Sequence, residues 1–339
     1  LDTKIVGGAS GTITSLAWGV SAVSFVAEGV IQVTTSENHR IAKGMNITLN
    51  GVTTSDGSLP DVNKSLKVTQ IDSNTQFRLE VPSSTDTTGS YTVASTSQAT
   101  AINMHYMFVI TSSNNTDGQI FQFFISPYDQ TVTLLYNSTL TQTNERPIDL
   151  AFKGNQLFTI WQKSDASSMS IRTYSITKSS IDYLSIVTFA RNENVQGTFY
   201  AYKYYPRSIG FTTNGNFFYI HFFSQERYTT TRRERVRQGR GYKWVTITDE
   251  HFVNNSKLAR LTSSLGISAL KQYGSSQSEP FYTEINMFQQ GGSDLTWIID
   301  STAKTLSGFS TFDSIIGFDI TTYFDSPTAL HTQKDNDYN

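Results

Sequence analysis

The stretch that most constrains this chain is Pro147-Ile-Asp-Leu-Ala-Phe-Lys-Gly-Asn-Gln-Leu-Phe-Thr-Ile-Trp161. Leu150 and Phe152 alternate with smaller or polar neighbours, Gly154-Asn155 supplies a bend, and Leu157–Trp161 returns as a second β-rich run. Period-two side chains around residues that tolerate positive φ specify an antiparallel hairpin, with Pro confined to the start of its strand. The phrase recurs at Pro206-Arg-Ser-Ile-Gly-Phe211, with Thr213-Asn214-Gly215 as the turn and Phe217–His221 as the return. A looser echo runs from Pro280 over Gly291-Gly292-Ser293 into Leu295–Ile299, and a fourth hairpin joins Ile102–Ile110 to Ile120–Ile125. A lone hairpin cannot bury its apolar face, so these units must pack into a larger array.

The composition agrees. Charged residues make up only 16% of the 339-residue chain while aromatics reach 13%, with 17 Tyr and 22 Phe. Helical surfaces favour Glu, Lys and Arg, whereas sheets carry Thr and Tyr outward. The expected fold class is therefore all-β: an irregular β-propeller-like array of antiparallel hairpins, with a sandwich array as the alternative. Residues 1–28 supply its first strands, 29–95 form an inserted small β-barrel or sandwich module, 96–330 form the main domain, and polar 331–339 is a disordered tail. Ser263–Tyr273 reads as one or two helical turns.

Chemistry is less visible. There is no cysteine, which excludes disulfides and zinc–sulfur sites. The histidines His39, His105, His221, His251 and His331 show no metal-ligand spacing; His105 and His221 sit inside apolar strands as core or sheet residues. Asp335-Asn-Asp337 lacks the Gly and distal Glu of a calcium loop. No nucleophile elbow or phosphate loop occurs, so no metal and no cofactor is expected. Glu226, Asp249, Glu250, Glu284, Asp294, Asp300, Asp313 and Asp319 are the acids from which a glycosidase pair would come, but carboxylates from separate strands leave no local motif. The chain opens Leu1-Asp2 without a signal-peptide pattern and reads as a processed or partial chain. Its most apolar stretch, Leu16–Val33, is broken by Ser21, Ser24 and Glu28, so no membrane span is expected.

One segment departs from the rest. Glu226–Thr248 holds a hairpin with Gln238-Gly-Arg-Gly241 at its tip, and alternation places Arg233, Arg235 and Arg237 on one face. Arg232, Arg240 and Lys243 extend the positive surface, and Tyr242 and Trp244 on the return strand offer planar stacking surfaces beside the guanidinium groups. With a net charge of −2 there is no global field to draw nucleic acid; the expected role of Arg232, Arg233, Arg235, Arg237, Arg240, Lys243 and Trp244 is contact with a neighbouring subunit, with a solvated arm whose Arg stems cover its own sheet and, last, nucleic acid as the alternatives. A second cluster, Tyr200, Tyr202 and Tyr204, sits at alternate positions and reads first as ordinary cross-strand pairs, with a glycan-stacking ladder as the alternative.

Residues 31–92 carry a resemblance. Glu37-Asn-His39-Arg-Ile41-Ala-Lys-Gly44-Met-Asn-Ile47-Thr-Leu49-Asn-Gly51-Val52, then Leu66-Lys-Val68-Thr-Gln-Ile71, Thr75-Gln-Phe77 and Gly89-Ser-Tyr91-Thr92, looks like a small β-domain common in tailed-phage virion proteins. It covers about a fifth of the chain and departs from the pattern in the long Thr53–Asn63 turn, so no loop function carries over. The resemblance implies a virion part rather than an enzyme: a structural component of a phage tail, of nozzle, tip or fibre-attachment type, located in the virion and assembled with other virion subunits as a homo-oligomeric ring or trimer. Competing readings are an adhesin for a host-surface glycan and a polysaccharide depolymerase.

Overall fold

The computed structural model describes residues 4–55, 59–83, 89–113, 117–141, 144–178, 180–190, 200–211, 218–276, 282–290, 293–301, 304–306, 309–311, 314–319 and 329–334, with backbone alone beyond residue 266. The fold is all-β, and no helix occurs among the described residues. Compact clustering separates two units, one formed by Leu1–Thr141, Leu150–Phe158 and Thr173–Ser185, the other by Gln142–Asp149, Thr159–Arg172 and Ile186–Asn339.

The first unit is built on two long strands, β1 (Lys4–Ala27) and β6 (Tyr91–Ser113), which pair antiparallel from Lys4↔Ser112 to Gly19↔Gln98. Between them come β2 (Val30–Thr35), β3 (Asn46–Thr54), β4 (Ser65–Ile71) and β5 (Gln76–Glu80). The order β1-β2-β5-β4-β3-β6, closed by the β1–β6 pairing, is a six-stranded ring. Its interior follows the period-two pattern: Ile31 and Val33 of β2, Ile47 and Leu49 of β3, Val68 of β4, and Phe77 and Leu79 of β5 are all fully buried. Closure removes the free edges that short strands would otherwise expose. The outer half of β6 continues into β7 (Asp117–Ile125) and β8 (Val132–Thr141), so β1, β6, β7 and β8 also form an open antiparallel sheet. Trp18 of β1 and Tyr106 and Phe108 of β6 are fully buried.

His39, Gly44 and Gly51 make close packing and backbone contacts. The His39 ring meets Phe77 edge-on at 5.3 Å, and its Nδ1 accepts from the Ile41 amide at 3.1 Å. Gly44 turns with φ +89° where a Cβ would stand 2.4 Å from Ser126 Oγ. Gly51, at φ +76°, sits against Ser97, whose Oγ donates to the Gly51 carbonyl at 2.6 Å.

The remaining chain repeats one motif, a four-stranded antiparallel sheet. The strands β9 (Glu145–Lys153), β10 (Gln156–Lys163), β11 (Ser168–Ile176) and β12 (Ile181–Ala190) follow one another across the first, whose residues are divided between the two units. A second contains β13 (Tyr200–Phe211), β14 (Phe218–Gln238), β15 (Gly241–Leu261) and β16 (Ile267–Ser276). A third orders β17 (Tyr282–Gln290), β18 (Ser293–Ser301), β21 (Ser314–Asp319) and β22 (Ala329–Lys334), with the small hairpin β19 (Lys304–Leu306) and β20 (Phe309–Thr311) between β18 and β21. Sequential four-stranded meanders of this kind are the blades from which propeller-like folds are made. Pro147 and Pro206 both fall on edge strands, β9 and β13, where a missing N–H breaks no ladder. The two Pro phrases also meet, because the Ile209 amide donates to Asp149 Oδ2 at 3.0 Å. The 213–215 turn and Gly291-Gly292 lie outside the described residues.

Two expectations are corrected. Ser263–Tyr273 is not helical: Thr262–Gly266 closes a turn with Leu265 at φ +66°, and β16 then pairs with β15, whose ladder supplies the hydrogen bonds a short helix would have to make alone. The polar C-terminal segment contributes a strand as far as Lys334, paired with β21 as Gly317↔His331 and Ser314↔Lys334. Residues 335–339 lie outside the described residues.

Candidate functional site

The site grows out of the second four-stranded sheet. β14 and β15 pair without a register shift from Phe218↔Leu261 to Gln238↔Gly241. Among the described residues their flanking partners pair less far: β13 reaches Arg227 on β14, and β16 reaches Asn254 on β15. From Tyr228↔His251 outward the two strands pair, among the described residues, only with each other. At about 3.4 Å per residue this is a ribbon roughly 35 Å long. Gly239 closes it with φ +61° at the first position of a two-residue loop, the requirement of a type II′ turn.

Cross-strand register sorts the side chains into two faces. Arg233, Arg235 and Arg237 lie opposite Thr246, Trp244 and Tyr242 respectively. The Arg235 guanidinium stacks diagonally over the Tyr242 ring at 4.7 Å, and Trp244 and Tyr242 remain 64% and 63% exposed. The opposite face carries Arg232, Glu234 and Val236 across from Ile247, Val245 and Lys243. Here the acids are spent internally: Arg232 Nε meets Asp249 at 3.1 Å and its Nη2 meets Glu234 at 3.7 Å. Nearer the base Arg227 pairs with Glu250, and Thr230 Oγ1 shares a hydrogen with His251 Nε2 at 2.7 Å. Between residues 227 and 251 there are seven Lys and Arg against three Asp and Glu. All three carboxylates are held by Arg227 or Arg232. Among the described residues, Arg233, Arg235, Arg237, Arg240 and Lys243 meet no carboxylate. The structure thus gathers Arg233, Arg235, Arg237 and Trp244 on one face, sets Arg232 and Lys243 on the other, and puts Arg240 at the tip.

The tyrosine cluster is arranged differently from an unbroken alternation. A bulge between Ala201 and Lys203 sets Tyr200 opposite Arg227 and Tyr204 opposite Ser224, positions three apart on β14 and so on opposite faces. Tyr204 packs on Phe222 at 6.1 Å and its hydroxyl donates to the Ala190 carbonyl at 3.4 Å. The side chains of Tyr200 and Tyr202 lie outside the described residues.

Of the acids considered for a glycosidase pair, Glu226 is buried against Lys257, Asp249 belongs to Arg232 and Glu250 to Arg227. The side chains of Glu284, Asp294, Asp300, Asp313 and Asp319 lie outside the described residues. No cluster of metal-ligating side chains occurs among the described residues, nor any helix long and apolar enough to cross a membrane.

No known family and no curated protein matches the chain. Among solved structures it is similar to the endosialidase of phage phi92, at 9% identity and a TM-score of 0.31, covering 88% of this chain and 47% of that one. The chain thus spans about half the length of that protein. It is also similar to a protein from Bacteroides uniformis described as a candidate 6-phosphogluconolactonase, at 11% identity and a TM-score of 0.27, covering 86% and 97% of the two chains. Both names are those of enzymes; likenesses this loose carry neither activity nor substrate to this chain.

Proposed function

We propose that this chain is a structural, non-enzymatic component of a phage tail that assembles with neighbouring subunits through the ribbon of β14 and β15. The observation that carries the assembly role is the clean cationic and aromatic face of Arg233, Arg235, Arg237, Tyr242 and Trp244 on an extension with no core of its own. An isolated two-stranded ribbon is marginal in water, and a neighbour that covers it supplies the missing packing. Its charge chooses the kind of neighbour. Guanidinium groups pair bidentately with carboxylates, and the chain outside residues 227–251 holds 19 Lys and Arg against 25 Asp and Glu. A positive arm on a negative body supports contact between copies of this chain, a heterologous contact that closes into a ring or trimer. The phage assignment is supported by the resemblance of residues 31–92 alone.

Sedimentation velocity across a salt series tests the contact. The chain is expected to associate at low salt, to dissociate as salt shortens the reach of its charges, and to stay monomeric when Arg233, Arg235 and Arg237 are replaced by Ser, with thermal unfolding little changed. Association indifferent to both salt and substitution overturns it. Immunogold labelling of phage particles tests the location: label on the tail supports the assignment, and unlabelled particles remove it.

A further inference from the structure

A different place in the molecule carries a ligand site. In the first unit the loop His39–Lys43, the end of β4 with the turn that follows it, and β8 enclose a cleft of about 570 Å³, a size suited to a small-molecule ligand. Its lining has a distinct chemistry. Two cations, Arg40 and Lys43, face it together with polar Asn74 and Thr133 and aliphatic Ile71 and Leu134, and among the described residues no Asp or Glu lines it. The nearest acid in sequence, Asp72, is committed elsewhere, accepting from Arg78 Nε at 2.9 Å, Gln32 Nε2 at 2.8 Å and Gln70 Nε2 at 2.6 Å. Ile71 and Leu134 are 38% and 50% exposed and give the cleft an accessible aliphatic surface.

The walls are already in place. The His39 amide donates to the Asn74 carbonyl at 2.7 Å, tying the loop to the turn, while the Gly44 amide and the Val68 carbonyl lock the loop to β4 at 2.9 Å. Arg40 Nη1 donates to the buried Gln122 Oε1 at 3.1 Å and its guanidinium lies 3.8 Å over the Tyr136 ring. Burial disfavours the Arg40 charge, and Tyr136, Tyr106 and Asp182 each favour it. The uncompensated charge at the mouth is therefore that of exposed Lys43. A preformed cleft of this kind spends little ordering entropy on a ligand.

We infer that this cleft binds an acidic sugar, with the carboxylate toward Lys43 and Arg40, hydroxyls toward Asn74 and Thr133, and the C–H face of the ring on Leu134 and Ile71. A phosphate alone would not use the aliphatic pair, and a neutral sugar would leave the Lys43 charge unanswered. The site is independent of the ribbon. Saturation-transfer NMR with sodium glucuronate, and glucose as the neutral control, tests it. Glucuronate is expected to receive saturation and glucose not, and the Lys43→Glu chain is expected to bind glucuronate at least about tenfold more weakly, since one unfavourable charge contact is worth roughly that factor. Lys43 is exposed, so that chain should unfold at the parent temperature; Lys43→Gln serves as a second variant should it not. Equal transfer to glucose, no transfer to either sugar, or glucuronate binding unchanged in both variants overturns the inference. The Arg233, Arg235, Arg237→Ser chain, deficient in association, should bind glucuronate as the parent does.

Discussion

At the residue scale the most consequential polar contact lies at the foot of the ribbon. Glu226 pairs with Lys257 where the two side chains are only 4% and 13% exposed, and Ser224 Oγ donates toward the same carboxylate at 3.5 Å. Taking two charges out of water costs several kcal/mol each, so such a pair holds only while both partners are present. Glu226→Gln is expected to leave the Lys257 ammonium uncompensated and to lower the unfolding free energy by about 3–5 kcal/mol. The double replacement Glu226→Met, Lys257→Met should recover most of that loss. Urea denaturation of the three chains reads the difference, and equal losses in single and double variants would show that the stranded Lys257 charge is not their cause. The glycines of the small module act at the same scale through the backbone. Gly44→Ala meets both a positive φ and Ser126, and a loss of about 1–3 kcal/mol is expected in the same assay. Gly44 and Gly51 stand out in the sequence only as parts of the resemblance pattern; that each abuts a serine from elsewhere in the chain was not legible, because such approach is set by tertiary packing.

At the scale of elements, the hairpins around Gly154-Asn155 and from β6 to β7 were readable because turn chemistry and period-two patterning are local. The ring of β1–β6 was not, since it closes by pairing two strands about 90 residues apart in sequence, and no local signal reports such closure. The helical reading of Ser263–Tyr273 failed for the same reason: a neighbouring ladder outweighed a weak local preference. β14 adds a feature with a measurable consequence. His221 is fully buried beside Phe223, ring centroids 5.4 Å apart, and burial, then the nearby Arg207 charge, pushes its pKa down to about 3. In the unfolded chain the imidazole takes up a proton near pH 6.5, while in the folded chain it stays neutral until about pH 3. The unfolded state therefore binds more protons between these values, and stability falls as pH falls through that window by up to about 1.4 kcal/mol per unit. His39, whose pKa burial also lowers, acts in the same direction. His221→Leu should flatten part of this dependence between pH 6.5 and 5, where few carboxylates titrate. Parallel urea curves for parent and variant across that range would assign the acid sensitivity to other groups.

At the scale of the whole molecule, the chain divides its tasks between places that differ in legibility. The arginine ribbon was visible because its residues are contiguous and alternate. The cleft was not, because its walls come from three segments, around residues 40, 71 and 134, that only folding brings together. The ribbon's separateness can itself be tested by removing it. Tyr228 and His251 form a directly opposed pair ten residues back from Gln238↔Gly241, an even number, so they occupy the same kind of ladder position. Replacing residues 229–250 with Asn-Gly should therefore close β14 onto β15 through a tight two-residue turn and leave the four-stranded sheet whole. The shortened chain loses an exposed ribbon and no buried core, so its thermal midpoint should stay within a few degrees of the parent, with glucuronate binding retained and self-association gone. A midpoint lowered by about 10 °C or more would make the ribbon a support of its own sheet. Association that survives the excision would move the contact between copies to another surface.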